Sequence, residues 1–374
     1  MTNRQIAETF PPGVFLEEEL EVRGWSQLDF AEIIGKSPRD INLIINGKLS
    51  ITPKTAIVIG EALGTSPQLW MNLESAYQLS QADKESNEIA LKAKLYEKFP
   101  VREMIKRGWI KPSNNIKVLI ARFCEYFEID SLDDEPSFSH ADRKSTNTTT
   151  AIQNAWLYRA RQLARVLPVT NKYSQARMKA CLDKLRLLLH EPAEIRHIPK
   201  VLSEAGIRMV IVEPMPKSKI DGSTFWLDDD SPVIVLSLLH DRIDNFWFTL
   251  MHELSHVKNG EGKIDPILDM DLLSADGGVD DRPELEKRAD RDAAEFCIPK
   301  AALDSFITRT RPYYLEWKIK GFAEVNKVCA GVVVGQLQKR EEILYSHHRK
   351  LLTKVREIIN EPALVDGYGY TPSI

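Results

Sequence analysis

Seven residues, Met251-His252-Glu253-Leu254-Ser255-His256-Val257, constrain this chain more than any other stretch of it. Two histidines four positions apart share one face of an α-helix, so both imidazoles can reach one metal ion while the intervening glutamate points at the open coordination position. The flanks agree, because Phe246-Trp247-Phe248-Thr249-Leu250, Leu254 and Val257 are apolar and predict a buried helix backing a site. Zinc suits two imidazoles and a carboxylate, and a catalytic zinc takes three protein ligands and keeps a position for water, whose pKa it lowers towards ~7. Glu253 would take that water's proton and return it to a leaving amine. The expectation is one Zn2+ per chain.

The third ligand has to come from another element. Pro283 to Phe296 reads as a helix, and on it Glu286 is the expected ligand, with small Ala289 and Ala293 letting that helix pack closely against the first. Asp290 lies one turn further on, placed to accept the free N–H of a ligand histidine and so fix its tautomer. Glu284, Lys287, Arg288 and Arg291 read as the solvated side of the same helix.

From about residue 195 to 300 the chain resembles the ImmA/IrrE family of metallopeptidases. The resemblance rests on Phe248-Thr249-Leu250-Met251-His252-Glu253-Leu254-Ser255-His256, followed by Glu286, Ala289-Asp290, Ala293-Ala294 and Phe296-Cys297-Ile298-Pro299. It implies a zincin-like fold, zinc on His252, His256 and Glu286, a catalytic Glu253, and cleavage of a repressor protein that relieves transcriptional repression. Cys297 and Ile298 depart from the Leu and Met usual in the family before the proline, which touches packing more than chemistry.

The N-terminal eighty residues are a different kind of sequence. Apolar positions recur at helical spacing from Gly13 to about Leu79, broken at Gly24, Gly35, Gly47 and Gly64. Phe15, Leu16 and Leu20 predict one buried face, Leu28, Ala31, Ile33 and Ile34 the next, and Ile41, Leu43, Ile44 and Ile45 a third. Ser26, Ser37, Thr52 and Ser66 stand where N-caps belong, and Pro38, Pro53 and Pro67 take the first helical position after three of them. Ser26 to Gly47 thus reads as helix, glycine turn, helix. Its second helix would offer Ser37, Arg39, Asp40, Asn42 and Asn46 to a major groove, with Gln27 and Lys48 placed for phosphates. This block, continued through Ile51-Thr52-Pro53-Lys54-Thr55-Ala56 and Leu63 to Leu73, is similar to the HigA branch of XRE-type repressors, which implies a dimeric, operator-binding antitoxin or autorepressor.

Charge qualifies that expectation. Residues 1–80 hold six Lys/Arg against ten Asp/Glu, a poor balance for neutralising phosphates. The acids cluster, however: Glu17, Glu18, Glu19 and Glu21 fall in the first helix, away from Lys36, Arg39, Lys48 and Lys54. Residues 139–200 hold twelve Lys/Arg against four Asp/Glu but no interleaved aromatics for base stacking, and read as the solvated sides of amphipathic helices.

The expected fold class is α+β and mostly helical. An N-terminal five-helix helix-turn-helix domain spans 1–80, and a helical linker region with a Ser/Thr-rich loop, including the run Ser145 to Thr150, spans 81–150. A metallopeptidase domain spans 151–374 (core about 195–300), with a small sheet from Ile207–Val212, Ser223–Leu227 and Pro232–Leu236. No apolar run approaches a membrane span, and the opening residues lack the apolar core of a signal peptide. Cys124, Cys181, Cys297 and Cys329 are far apart and read as buried thiols, so the expected compartment is the cytoplasm.

Two functions follow from this reading. One is a DNA-binding regulator or antitoxin joined to a zinc endopeptidase that cuts a repressor or partner protein. The other is a HigA-type antitoxin or autorepressor whose zinc domain does no chemistry and docks a HigB-like toxin or a ligand. The expected partners are operator DNA, a protein substrate, a HigB-like toxin and a second copy of the chain, with no membrane. His190, His197, His240, His347 and His348 are each, alone, more often surface or core residues, and none is assigned a role.

Overall fold

The helix starts marked in the sequence are the ones observed. In the computed structural model, which describes residues 10–81, 88–138, 149–270 and 283–372, the first five helices are α1 (Pro12–Arg23), α2 (Gln27–Ile33), α3 (Pro38–Ile45), α4 (Pro53–Leu63) and α5 (Pro67–Gln81). Ser26 caps α2 in a capping box with Asp29, Ser37 and Thr52 accept from the backbone N–H of Asp40 and Thr55, and Ser66 Oγ accepts from Leu69 N at 3.1 Å.

These helices belong to the first of two compact units, which ends at Leu91. Its core is Leu16, Leu20, Phe30, Ala31, Ile41, Ile44, Ile59 and Trp70. A Cβ on Gly13 would stand 2.2 Å from Ile44 O, so α1 can lie against the end of α3 only with glycine there. Phe15, Leu28 and Ile33 are exposed, contrary to the apolar faces read from the sequence. Helix α2 has seven residues, two turns, and its buried residues are adjacent Phe30 and Ala31, which leaves Leu28 and Ile33 outward.

The second unit runs from Lys92. It begins within α6 (Glu88–Lys98) and continues with α7 (Val101–Lys106), α8 (Ile116–Phe127), α9 (Ala151–Val166), α10 (Gln175–Leu188) and α11 (Ile198–Glu204). Strands β1 (Arg208–Val212), β2 (Ile220–Trp226) and β3 (Pro232–Leu236) come next, then α12 (Ile243–Lys258), β4 (Ile267–Met270) and α13 (Glu284–Cys297). Helices α14 (Lys300–Thr310), α15 (Glu316–Asn326), α16 (Ala330–Lys339) and α17 (Arg356–Ile359) lead to β5 (Leu364–Asp366). The sheet order is β4-β2-β3-β1-β5, with β1 parallel to β3 and β5, and β2 antiparallel to β3 and β4.

Helix α8 packs with this unit: Tyr126 Oη donates to Ala155 O at 2.9 Å, and Phe127 meets the ring of Tyr158 edge-on. The segment after α8 is anchored as far as Phe138, whose ring packs on Phe225 while the Arg161 guanidinium lies over it. Of the Ser145–Thr150 run, residues 145–148 lie outside the described residues, and Thr150 caps α9 in a box with Gln153. The basic α9 is not simply a solvated face: Arg159 pairs with Asp366 and Arg161 with Glu128, and both arginines are buried. Among the described residues no helix is long and apolar enough to cross a membrane.

Candidate metal centre

Helix α12 is buried along nearly its whole length, and His252, Glu253 and His256 are all at 0% exposure. It lies between the sheet and α13, and Ala289 and Ala293, both fully buried, let α13 approach closely. On α13, Glu286, Ala289, Asp290 and Ala293 form a single i, i+3, i+4, i+7 stripe, so the helix that fits its alanines against α12 also aims two carboxylates at the histidines.

The two imidazole Nε2 atoms face each other at 3.1 Å, and Glu286 Oε2 lies 3.1 Å from His252 Nε2 and 3.8 Å from His256 Nε2. Each ring's other nitrogen meets a carboxylate: His252 Nδ1 is 3.0 Å from Asp290 Oδ1, and His256 Nδ1 is 2.8 Å from Glu261 Oε2. His256 Nδ1 is hydrogen-bonded to Glu261, and His252 Nδ1 lies close to the Asp290 carboxylate; with the proton on Nδ1 of each ring, the Nε2 lone pairs would be free to bind a cation at the centre. Two such lone pairs at this separation repel each other unless a cation stands between them.

Strand β4 adds a residue that the sequence reading did not single out. Asp269, 4% exposed, brings Oδ2 to 3.4 Å from His252 Nε2 and 3.9 Å from His256 Nε2. His252, His256, Asp269 and Glu286 thereby form a group whose donor atoms all lie within 4.8 Å of one another and could hold a metal ion. Donors bonded to one ion at ~2.0–2.1 Å stand roughly 3.3 Å apart in a tetrahedron, close to the spacings seen.

Glu253 sits beside this group. Its Oε2 accepts from Thr224 Oγ1 at 2.7 Å, while its Oε1 is buried without a hydrogen-bond partner. Oε1 packs on Gly222 of β2, where a Cβ would stand only 2.2 Å away. Burial, reinforced by the charge of Asp269, pushes the Glu253 carboxyl well above the ordinary carboxylate range. Burial also raises Glu286. Burial disfavours the imidazolium of His252, yet the carboxylates of Asp269, Asp290 and Glu286 push its pKa up to about 12. Burial likewise opposes ionisation of Asp269, but His252 beside it holds its carboxyl below the usual range. The pocket is therefore one that attracts positive charge.

The sequence-predicted residues His252, Glu253, His256, Glu286 and Asp290 all meet here. Asp269, Glu261, Thr224 and Gly222 were not anticipated. Thr224 lies in a recognised strand run but carries no sign of its partner, and Asp269 sits in a strand of four residues, too short for alternation to register.

In the first unit, Ser37, Arg39, Asn42, Asn46 and Lys48 are exposed on or beside α3, and Gln27 and Asp40 are half-buried. Ser37 Oγ is engaged as the cap of α3, Gln27 Oε1 accepts from Asn42 Nδ2 at 3.2 Å, and Asn46 Nδ2 donates to Asn42 O at 2.7 Å. Glu17, Glu18, Glu19 and Glu21 all lie on α1.

Comparison with known proteins agrees with this division. Residues 16–70 match the helix-turn-helix family, and residues 203–333 match the IrrE N-terminal-like domain of a peptidase family. The chain belongs to the helix-turn-helix transcriptional regulators of XRE type through the first match, and carries an IrrE/ImmA-like peptidase-family domain through the second. An uncharacterized HTH-type transcriptional regulator of Escherichia coli K12, YddM, is 34% identical over 73 residues, 20% of this chain and 78% of its own length. A HigA-family addiction-module antidote protein from Coxiella burnetii is 32% identical over 23% of this chain and 95% of that one, with a TM-score of 0.22. Pseudomonas aeruginosa antitoxin HigA, solved with the higBA promoter, is 33% identical over 20% of this chain and 83% of that one, with a TM-score of 0.20.

Proposed function

We propose that this chain is an operator-binding regulator of antitoxin type, acting as a homodimer, whose C-terminal domain is a zinc endopeptidase that cleaves a repressor or partner protein. The observation that carries the peptidase half is the convergence of His252 Nε2, His256 Nε2 and Glu286 Oε2, with a carboxylate behind each imidazole.

His252, His256 and Glu286 would hold one zinc ion, whose chemistry when bound is to acidify a water towards pKa ~7 and polarise a carbonyl. Glu253 is the base: Thr224 fixes its Oε2, leaving Oε1 to accept a proton and pass it to the leaving amine. Asp290 and Glu261 orient the ligand rings, and burial of the centre excludes bulk water.

The DNA half rests on the helix-turn-helix match and on the exposure of Arg39, Asn42, Asn46 and Lys48. Base readout falls to Arg39, Asn42 and Asn46, with Ser37 and Asp40 near the start of the reading helix, while Gln27 and Lys48 meet phosphates. Arg39→Ala and Asn42→Ala should each abolish or strongly weaken retention of promoter DNA. If neither does, the operator-binding half is wrong.

The peptidase half is tested by metal analysis of the purified chain, paired with mass spectrometry of co-expressed neighbouring proteins in wild type and Glu253→Gln. Stoichiometric zinc in both, and cleavage products in the wild type alone, are expected, with promoter binding intact in both. A chain without zinc, or identical products from both, defeats this half. The second reading, a non-catalytic zinc domain that docks a HigB-like toxin or a ligand, is favoured by the fourth candidate donor, Asp269, since structural zinc sites close with four protein donors. It predicts zinc without cleavage.

A further inference from the structure

Asp269 reaches the centre by register. It lies opposite Gly222 in the antiparallel pair of β4 and β2, beside an irregularity between Ile220 and Gly222. Residues directly opposite one another in such a pair project to the same face. The face of Gly222 is the one against which Glu253 Oε1 packs, so the side chain of Asp269 has to stand over Glu253 and the imidazoles. Its Oδ2 is buried, has no hydrogen-bond partner, and is directed at the two Nε2 atoms. A buried carboxylate oxygen without a hydrogen bond is costly in such surroundings, and a cation at the centre would offset that cost.

A catalytic zinc keeps one position open, whereas four protein donors close the set. A purely structural four-donor site, in turn, has no use for a buried glutamate with a free oxygen beside it. Both features occur here together. We propose that Asp269 is a fourth donor to the ion, occupying the position at which water would be activated, so that the chain as folded is a latent peptidase released when Asp269 withdraws. This rests on the zinc-peptidase reading above. Strand β4 is suited to the movement, because among the described residues it stands at one end of the sheet order and pairs with β2 alone.

The test uses the full chain loaded with zinc or cobalt(II), as wild type and as Asp269→Asn, with Asp269→Ser as a second variant and circular dichroism to verify folding. Competition with a chromophoric chelator should show zinc held roughly 10–100-fold more weakly by the variants. The visible spectrum of the cobalt-loaded wild type should be unmoved by acetohydroxamate, and that of the variants should shift as the added ligand enters the vacated position. Equal zinc affinity in wild type and variants overturns the proposal, as does a wild-type cobalt spectrum that responds to hydroxamate as readily as theirs. Folded variants that hold no ion at all would make Asp269 an obligatory ligand and also overturn it. If the wild type itself holds no ion, the metallopeptidase reading fails and this inference falls with it; if the wild type holds zinc and the variants behave like it, only this inference fails.

Discussion

Gly222→Ala puts a single methyl group against the proposed base. A Cβ there would stand 2.2 Å from Glu253 Oε1 and 3.0 Å from both Glu253 Cδ and Thr249 Cγ2. Ordinary contact between such atoms needs ~3.2 Å or more, so the carboxylate must retreat by about 1 Å. Its room is limited, because Oε2 is held by Thr224 and the whole side chain is buried. Overpacking of this kind costs about 1–3 kcal/mol. At ~2–4 °C per kcal/mol, the thermal midpoint should fall by roughly 2–12 °C. A displacement of ~1 Å in a catalytic group costs on the order of 100-fold in turnover, and cleavage of the partner protein should fall by that factor. Zinc content should remain stoichiometric, since the atoms nearest the added methyl belong to Glu253 and Thr249 and to none of His252, His256 or Glu286. Differential scanning calorimetry, metal analysis and a timed cleavage assay measure the three quantities. A variant that melts with the wild type and cleaves at its rate would show that Glu253 is not confined by β2, and the assignment of its free oxygen as the working one would be wrong.

Asp366→Ala should destabilise the second unit by about 3–5 kcal/mol, because it strands the buried Arg159 guanidinium without its counter-charge; a loss below ~1 kcal/mol in a urea melt refutes that view of the pair. Burial pushes the thiols of Cys181, Cys297 and Cys329 up to about 12. Ionisation therefore comes later in the folded chain than in an exposed cysteine, the thiolate fraction at pH 8 is only ~10⁻⁴, and iodoacetamide should modify these three only on unfolding, as peptide mass mapping would show. Removing the ion should lower the melting transition of the second unit and leave that of the first in place. Zinc at ~100 times its dissociation constant contributes ~2.7 kcal/mol, so chelation should shift the second transition by roughly 5–10 °C. A shift confined to the first transition, or none, contradicts the placement of the centre.

Local chemistry was legible in the sequence, and long-range pairing was not. The N-caps Ser26, Ser37, Thr52 and Ser66 act within three residues of themselves, so the helix starts could be read directly. His252 and His256 share one helix, and Glu286 and Asp290 share another whose alanines advertise close packing, so most of the centre was visible from two segments. Asp269 joins them only through the pairing of β4 with β2, which four residues cannot announce. The basic α9 misled for the same reason: Arg159 finds its partner 207 positions away on β5, and helical periodicity alone assigns an arginine to solvent. The exposed Leu28 and Ile33 show the complementary error, since hydrophobic identity does not say which side of a two-turn helix has a neighbour.

The acidic surplus at the centre argues for what the fold is built around. Glu253, Glu261, Asp269, Glu286 and Asp290 surround two imidazoles, and the guanidinium of Arg288 pairs with Glu261. Protons could neutralise such a cluster, but a proton bridging one nitrogen and one oxygen satisfies two donors, and the geometry converges on four. A divalent ion meets all four at once and offsets two negative charges in surroundings where each unpaired charge costs several kcal/mol. The ion would therefore act as a structural tie among α12, α13 and β4 as well as a reagent. On the proposed reading, that double role would let a closed donor set and an idle base persist in one chain: Asp269 would secure the resting arrangement, and His252, His256 and Glu286 would suffice to keep the ion when that fourth donor leaves.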